Sequence, residues 1–171
     1  MKQDRNKLMY FAGFLQAGTS KSAPGDVDWE VLGVDNDDLS KELNPDTESS
    51  KNVLLEATFK HNGYEPEVNV DPYYADDASN LFEKLSAAAI QEKFGDADIL
   101  GYFVEVNYTT ATATTLSGTG YMRQAYIVPE STGGDTSGLG IPFTVHPVGP
   151  MTAVTVSYTI ATRAVTIALP T

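Results

Sequence analysis

Two ten-residue stretches alternate apolar and polar side chains along most of their length, and that alternation restricts the chain more than any other feature. Between Ile99 and Tyr108, the side chains of Leu100, Tyr102, Val104, Val106 and Tyr108 share one face, and Phe103, Glu105 and Asn107 share the other. Between Met151 and Ile160, Val154, Val156, Tyr158 and Ile160 oppose Thr155, Ser157 and Thr159. A period of two belongs to an extended strand and not to a helix. Apolar parity then shifts at Val165, Ile167 and Leu169, which predicts a turn through Ala161–Ala164 or a bulge. Lys51–His61 alternates as well, with Val53, Leu55, Ala57 and Phe59 opposed by Leu54, Glu56, Thr58 and Lys60. This predicts a strand with a mixed second face, followed by a tight turn at Asn62-Gly63 and a short strand at Glu67–Val70. A further short strand is expected at Asp28–Gly33, and another at Tyr121–Val128 after the Thr/Ala/Gly-rich link "TTATATTLSGTG".

Only one segment carries helical spacing. Ala78, Leu81, Phe82, Leu85, Ala88 and Ala89 recur at three and four residues, predicting a helix over 77–94 that Asp76 or Asp77 caps and Gly95 stops. The stripe reads as core-facing. The length of 171 residues suits a single domain with a real core. The expectation is therefore a mainly β protein, an antiparallel β-sandwich or open barrel with one packed α-helix. Its layout is an N-terminal arm, 1–25, and a sandwich domain, 26–171, from which a long polar loop, 34–51, projects. A polar excursion of that length is usually functional or contacts something else. The start "MKQDRNKLMYFAGFLQAGTSKSA" has the basic-then-apolar layout of an export signal, but Asp4 and the short run Leu8–Leu15 favour an arm instead.

The residues argue against an enzyme. The stretch "GGDTSGLGIPFTVHPVG" holds five of the chain's fourteen glycines, yet no lysine follows it and β-branched residues replace the helix a phosphate loop opens. It reads as a mobile turn followed by a strand that Pro142 and Pro147 would confine to a sheet edge. His61 and His146 are the only histidines, and neither lies in a catalytic or metal-binding motif. "DNDD" at 35–38 resembles the opening of a calcium loop, but Leu39 and Ser40 stand where a ligand and the turn glycine belong. The absence of cysteine excludes disulfides and thiolate metal sites. No cofactor is expected.

Charge is unevenly distributed along the chain. The net charge is −12, but residues 1–25 are net +3, residues 26–105 carry 20 acids against 5 bases, and residues 106–171 are neutral. Such a body repels nucleic-acid phosphate and favours solubility.

Four stretches, in order, resemble the major tail tube proteins of long-tailed (siphovirus-type) bacteriophages. They are "LMYFAGF" with "DVDWEVLGV"; the acidic loop ending in "SSKNVLLEATF", with Leu55 where the family commonly has glycine; "YEPEVNVDPYYADDASNLFEKL"; and "STGGDTSGLGIPFTVHPVG". The match spans roughly residues 8–149; residues 150–171 are less diagnostic. The resemblance implies a virion protein, made in the host cytoplasm, whose β-sandwiches join as homo-hexameric rings stacked into the tail tube. Its partners would be the tape measure, terminator and distal tail proteins. DNA would pass through the lumen without specific binding, and no membrane insertion is implied. On that reading Glu56 and Glu105 are candidates to line the lumen, and Asp35, Asp37, Asp38, Glu42, Asp46 and Glu48 are candidates for an inter-ring loop. Alternatives are a tail terminator or distal tail ring protein of the same fold, or a secreted β-sandwich binding module lacking its first ~23 residues, a signal-peptide span.

Overall fold

The computed structural model describes residues 2–76 and 79–171. Asp77 and Ala78, expected to cap the helix and open its stripe, lie outside the described residues. In chain order the elements are β1 (Leu8–Gly13), β2 (Glu30–Val31), β3 (Lys41–Glu42), β4 (Pro45–Lys51), β5 (Ala57–Tyr64) and β6 (Glu67–Val70). The helices α1 (Asn80–Ile90) and α2 (Asp96–Ile99) follow, then β7 (Leu100–Ala111), β8 (Thr115–Pro129), β9 (Gly133–Asp135), β10 (Gly138–Gly140), β11 (Phe143–Thr159) and β12 (Val165–Ala168). The fold is mainly β, as the alternation requires, with an eight-stranded antiparallel sheet and few helices.

That sheet runs β2-β1-β7-β8-β11-β6-β3, with β12 also paired to β11. Its long strands carry apolar side chains on both faces, and two cores result. On one face Tyr10, Phe103, Ile127, Phe143 and Val145 pack with Val68 and Val70 of β6 and with Leu81 and Leu85 of α1. On the other, Phe11, Val104, Val106, Met122, Val156 and Tyr158 pack with Ile167 of β12. The sheet coils enough to bring its last strand back over β1 and β7: Lys41 of β3 forms an ion pair with Glu105 of β7. Leu39 joins the first core, and the Arg5 guanidinium donates to the Leu39 carbonyl. The result is a sandwich with α1 on one face.

Several boundaries differ from the sequence expectation, each for a physical reason. The N-terminal arm is not an arm from Leu8 onward. β1 pairs with β7 over six residues and with β2 on its other side. Its parity sends Tyr10 and Ala12 into one core and Phe11 into the other. A chain lacking its first ~23 residues, the span a signal peptide takes, would lose this interior strand. The "TTATATTLSGTG" link is no link either. β7 and β8 form one long hairpin around a turn in which Thr112 Oγ1 accepts from the amides of Thr114 and Thr115 (3.3 and 3.0 Å).

β11 lies inside the sheet and not at its edge. It is paired with β8 on one side and with β6 and β12 on the other. Pro147 is tolerated because β6 reaches only Phe143–Val145 and β12 only Thr155–Tyr158, leaving the stretch between them without a ladder partner on that side. The expected turn at 161–164 is present, and it returns β12 antiparallel onto β11.

α1 is capped by Ser79, whose Oγ accepts from the Phe82 amide at 3.0 Å. The helix also ends earlier than Gly95. The amides of Glu92 and Lys93 donate to the carbonyls of Ala89 and Ala88, and Glu92 takes φ +51°. This is a Schellman ending with glutamate in the left-handed position that glycine usually fills, so composition does not reveal it. Stopping there leaves Ile90 and Phe94 71% and 88% exposed.

Candidate assembly interface

Residues 45–64 form an element of their own. Among the described residues β4 and β5 pair only with each other, and almost every residue in them is exposed. The hairpin is joined to the body at its base, where Pro45 pairs with Tyr64 and the Glu65 amide donates to the Leu43 carbonyl at 3.1 Å. The predicted strand through Val53–Glu56 is instead the turn at the tip, and the predicted turn Asn62-Gly63 lies within β5. Asn52 builds the tip. Its Oδ1 accepts from the amides of Leu54 (2.9 Å) and Glu56 (3.1 Å), and its Nδ2 donates to Glu56 Oε2 at 2.6 Å. A side-chain mimic of a backbone turn holds the loop better than the apolar alternation could hold a free strand.

The exposed side chains are the wrong ones for a free surface. Val53 is 97% exposed, and Leu54, Leu55, Phe59 and Tyr64 are also largely in water. Register places Ala57, Phe59 and His61 on one face of the ribbon, opposite Lys51, Ser49 and Thr47. Glu48 and Lys60, with the hydrogen-bonded pair Ser50 and Thr58 (2.7 Å), occupy the other. The His61 ring meets Tyr64 edge-on at 4.6 Å, extending the aromatic side toward the base. An isolated two-stranded hairpin is marginal in water, and a clustered apolar tip marks a contact site.

Leu55 is locally strained. It holds φ +63°, a left-handed conformation costing a branched residue roughly 1–2 kcal/mol. This is the position at which the tail tube resemblance has glycine. Leu55→Gly is expected to leave the fold neutral or stabilised by up to ~1 kcal/mol in urea unfolding, because glycine adopts this conformation without strain.

The other sequence candidates scatter. Asp46 and Glu48 lie on β4 and Glu42 on β3. Asp35, Asp37 and Asp38 sit in the turn before β3, where Asp35 accepts weakly from the Tyr74 amide and Asp38 from Ser40 Oγ, both at 3.4 Å. The loop 34–51 is thus split between a packed segment, anchored by buried Leu39, and the first strand of the hairpin. Glu56 and Glu105 are not brought together. Glu56 belongs to the hairpin tip, and Glu105 is half-buried on the first core's side of β7, neutralised by Lys41. Glu105 is therefore not a free wall charge.

The glycine-rich stretch folds into the small hairpin β9–β10, clasped by the segment before α1. Tyr74 OH donates to Asp135 Oδ2 at 2.9 Å, and the amides of Ala75 and Ile141 donate to the carbonyls of Leu139 and Tyr73. The Ser137 amide, which donates to Asp135 Oδ1 at 2.7 Å, and after it the Tyr74 hydroxyl hold the Asp135 carboxyl below its usual range. A side chain at Gly134 would meet the Gly138 carbonyl at 2.1 Å, so the glycine permits the close cross-strand approach.

Where α1 begins, Tyr73 OH donates to Glu30 Oε1 at 2.8 Å, and Ser79 Oγ donates to Glu30 Oε2. Burial pushes the Glu30 carboxyl up, against these two donors. The network ties β2 to the helix cap. His146 Nδ1 lies 4.0 Å from Glu67 Oε2, and His61 Nδ1 accepts from the Gly63 amide. Among the described residues no three His, Asp or Glu side chains are placed to hold a metal, and no helix is long and apolar enough to cross a membrane. No protein-family model matches the chain, and no curated protein matches it.

Sequence reasoning missed the tip itself. The available signal was the run Val53-Leu54-Leu55, three apolar residues bounded by Asn52 and Glu56, which is longer than an alternating strand permits.

Proposed function

We propose that this chain is a structural subunit that self-assembles, and that its assembly is the tail tube of a long-tailed bacteriophage. The observation that carries the reading is the hairpin 45–64, an exposed ribbon with an apolar tip that nothing within its own chain covers among the described residues. In a stacked tube such a ribbon reaches the next ring, and its burial there removes the apolar surface from water.

Three further features support the reading. The resemblance to tail tube proteins places the same segment, "SSKNVLLEATF", in the family's long loop. The sheet has short edge strands, β2 and β3, together with the unpaired stretch of β11, and such edges become ring contacts when copies meet side by side. A net charge of −12 suits a conduit that must not retain DNA, because a basic wall would trap it through counterion release.

The test is a concentration series followed by light scattering and negative-stain microscopy. Tubes or stacked rings are expected. Single rings that never stack would point to a terminator or distal ring, and a stable monomer at high concentration would overturn the reading.

A further inference from the structure

We infer that Asn62 is a self-modifying site: its side-chain amide is lost to attack by the backbone nitrogen of Gly63, with His61 as the base. The chemistry needs the hairpin alone and goes beyond the self-assembly reading. Residues 61–63 bring the three reacting groups together. The Gly63 amide donates to His61 Nδ1 at 3.1 Å, so a basic nitrogen already holds the proton that must leave. The His61 ring is in turn steadied edge-on against Tyr64 at 4.6 Å. Asp46 pairs with Gly63 and Thr47 with His61, which makes Asn62 the extra residue of a β-bulge, without a partner across the ribbon. Both His61 and Asn62 are exposed. Gly63, at φ +140°, has nothing within 4 Å of the place a side chain would occupy, so no bulk blocks its nitrogen from Asn62 Cγ.

The reaction balances with water as its only co-reactant. As His61 Nδ1 takes the Gly63 amide proton, the nitrogen's electron pair attacks Asn62 Cγ and a new C–N bond forms. The imidazolium returns the proton to Nδ2, the Cγ–Nδ2 bond breaks, and ammonia leaves a cyclic imide. Water then opens the ring. Addition at Cγ breaks the new bond and gives aspartate, while addition at the backbone carbonyl breaks the original peptide bond and gives isoaspartate.

Other asparagines lack this combination. Asn62 is the only one followed by glycine. Asn52, also exposed on the same hairpin, precedes the β-branched Val53, which crowds the attacking amide. Its side chain is also held by the Leu54 and Glu56 amides and by Glu56 Oε2. Asn44 precedes Pro45, which has no amide hydrogen to give up. Conversion at Asn62 adds a carboxylate beside Asp46, on a hairpin that carries Asp46, Glu48 and Glu56 against Lys51 and Lys60. The isoaspartate route also lengthens the β5 backbone by one carbon at the bulge.

The test is incubation of the full chain at neutral pH, followed by peptide mapping with fragmentation that separates aspartate from isoaspartate. Asn62 is expected to convert to a mixture of the two well ahead of Asn52. Equal conversion at both sites, or an unchanged Asn62, would overturn the inference. Aspartate as the sole product would mean direct hydrolysis by water and would overturn it as well. His61→Phe keeps a ring against Tyr64 but has no nitrogen, and it should slow conversion about tenfold, less than the ~10²–10⁴ of a base in an enclosed site. Imidazole added to His61→Ala should recover part of the loss while leaving the parent rate nearly unchanged. An unchanged rate in His61→Phe, or no recovery with imidazole, would remove His61 as the base.

Discussion

A variant in which Asn-Gly replaces Glu48–Lys60 folds like the parent protein and no longer assembles: that is the expected result of removing the hairpin. Thr47 and His61 face each other across the ladder, so a two-residue turn of the type Asn-Gly favours can join them. The removed residues contribute nothing to either core, and their apolar side chains are already in water. Unfolding in urea should change by less than about 1 kcal/mol, as expected for residues without buried partners. Light scattering should stay at the monomer level over the range in which the proposed function expects rings or tubes from the parent protein. Normal tubes from this variant would show that the hairpin is not a stacking element. Deleting Asp35–Ser49, most of the polar loop 34–51, is a poorer experiment, because it takes out β3 and the buried Leu39 and so damages the first core.

Phe11→Ala is expected to cost about 3–5 kcal/mol of folding stability, a large part of the roughly 5–15 kcal/mol available to a domain of this kind. Phe11 is fully buried, and its ring packs 5.8 Å from that of Tyr158 in the second core. Its neighbours Tyr10 and Ala12 fill the first core, so β1 is packed on both faces. Truncating the ring leaves a cavity that two closely packed sheet faces cannot close. Urea unfolding measures the loss. Phe59→Ala, on the exposed hairpin, provides the contrast and should stay within about 0.5 kcal/mol. A loss below about 1 kcal/mol for Phe11→Ala would mean that the N-terminal segment detaches without disturbing the sandwich.

The sequence by itself determined the elements whose pattern is local and repetitive. Leu100–Tyr108 and Val154–Tyr158 alternate because each strand presents alternating side chains to opposite faces, and they are strands of the main sheet. Leu81 and Leu85 recur at helical spacing because one face of α1 must cover the first core. The parity shift after Ile160 located the last turn.

Tertiary structure decided everything that depends on what stands opposite a residue. Leu8–Gly13 could be an arm or a strand until β7 lay beside it, since a six-residue apolar run suits either. Pro147 signalled an edge, but only the gap between β6 and β12 shows how an interior strand carries it. Val53 and Leu55 continue the parity of Ala57 and Phe59, but Leu54 breaks the alternation, and Asn52 holds the five-residue turn with hydrogen bonds that periodicity does not encode. The same limit hid the candidate interface. Whether Phe59 or Phe94 is core or surface depends on long-range packing and on a helix ending at a left-handed glutamate, and a residue's hydrophobicity is the same in both settings.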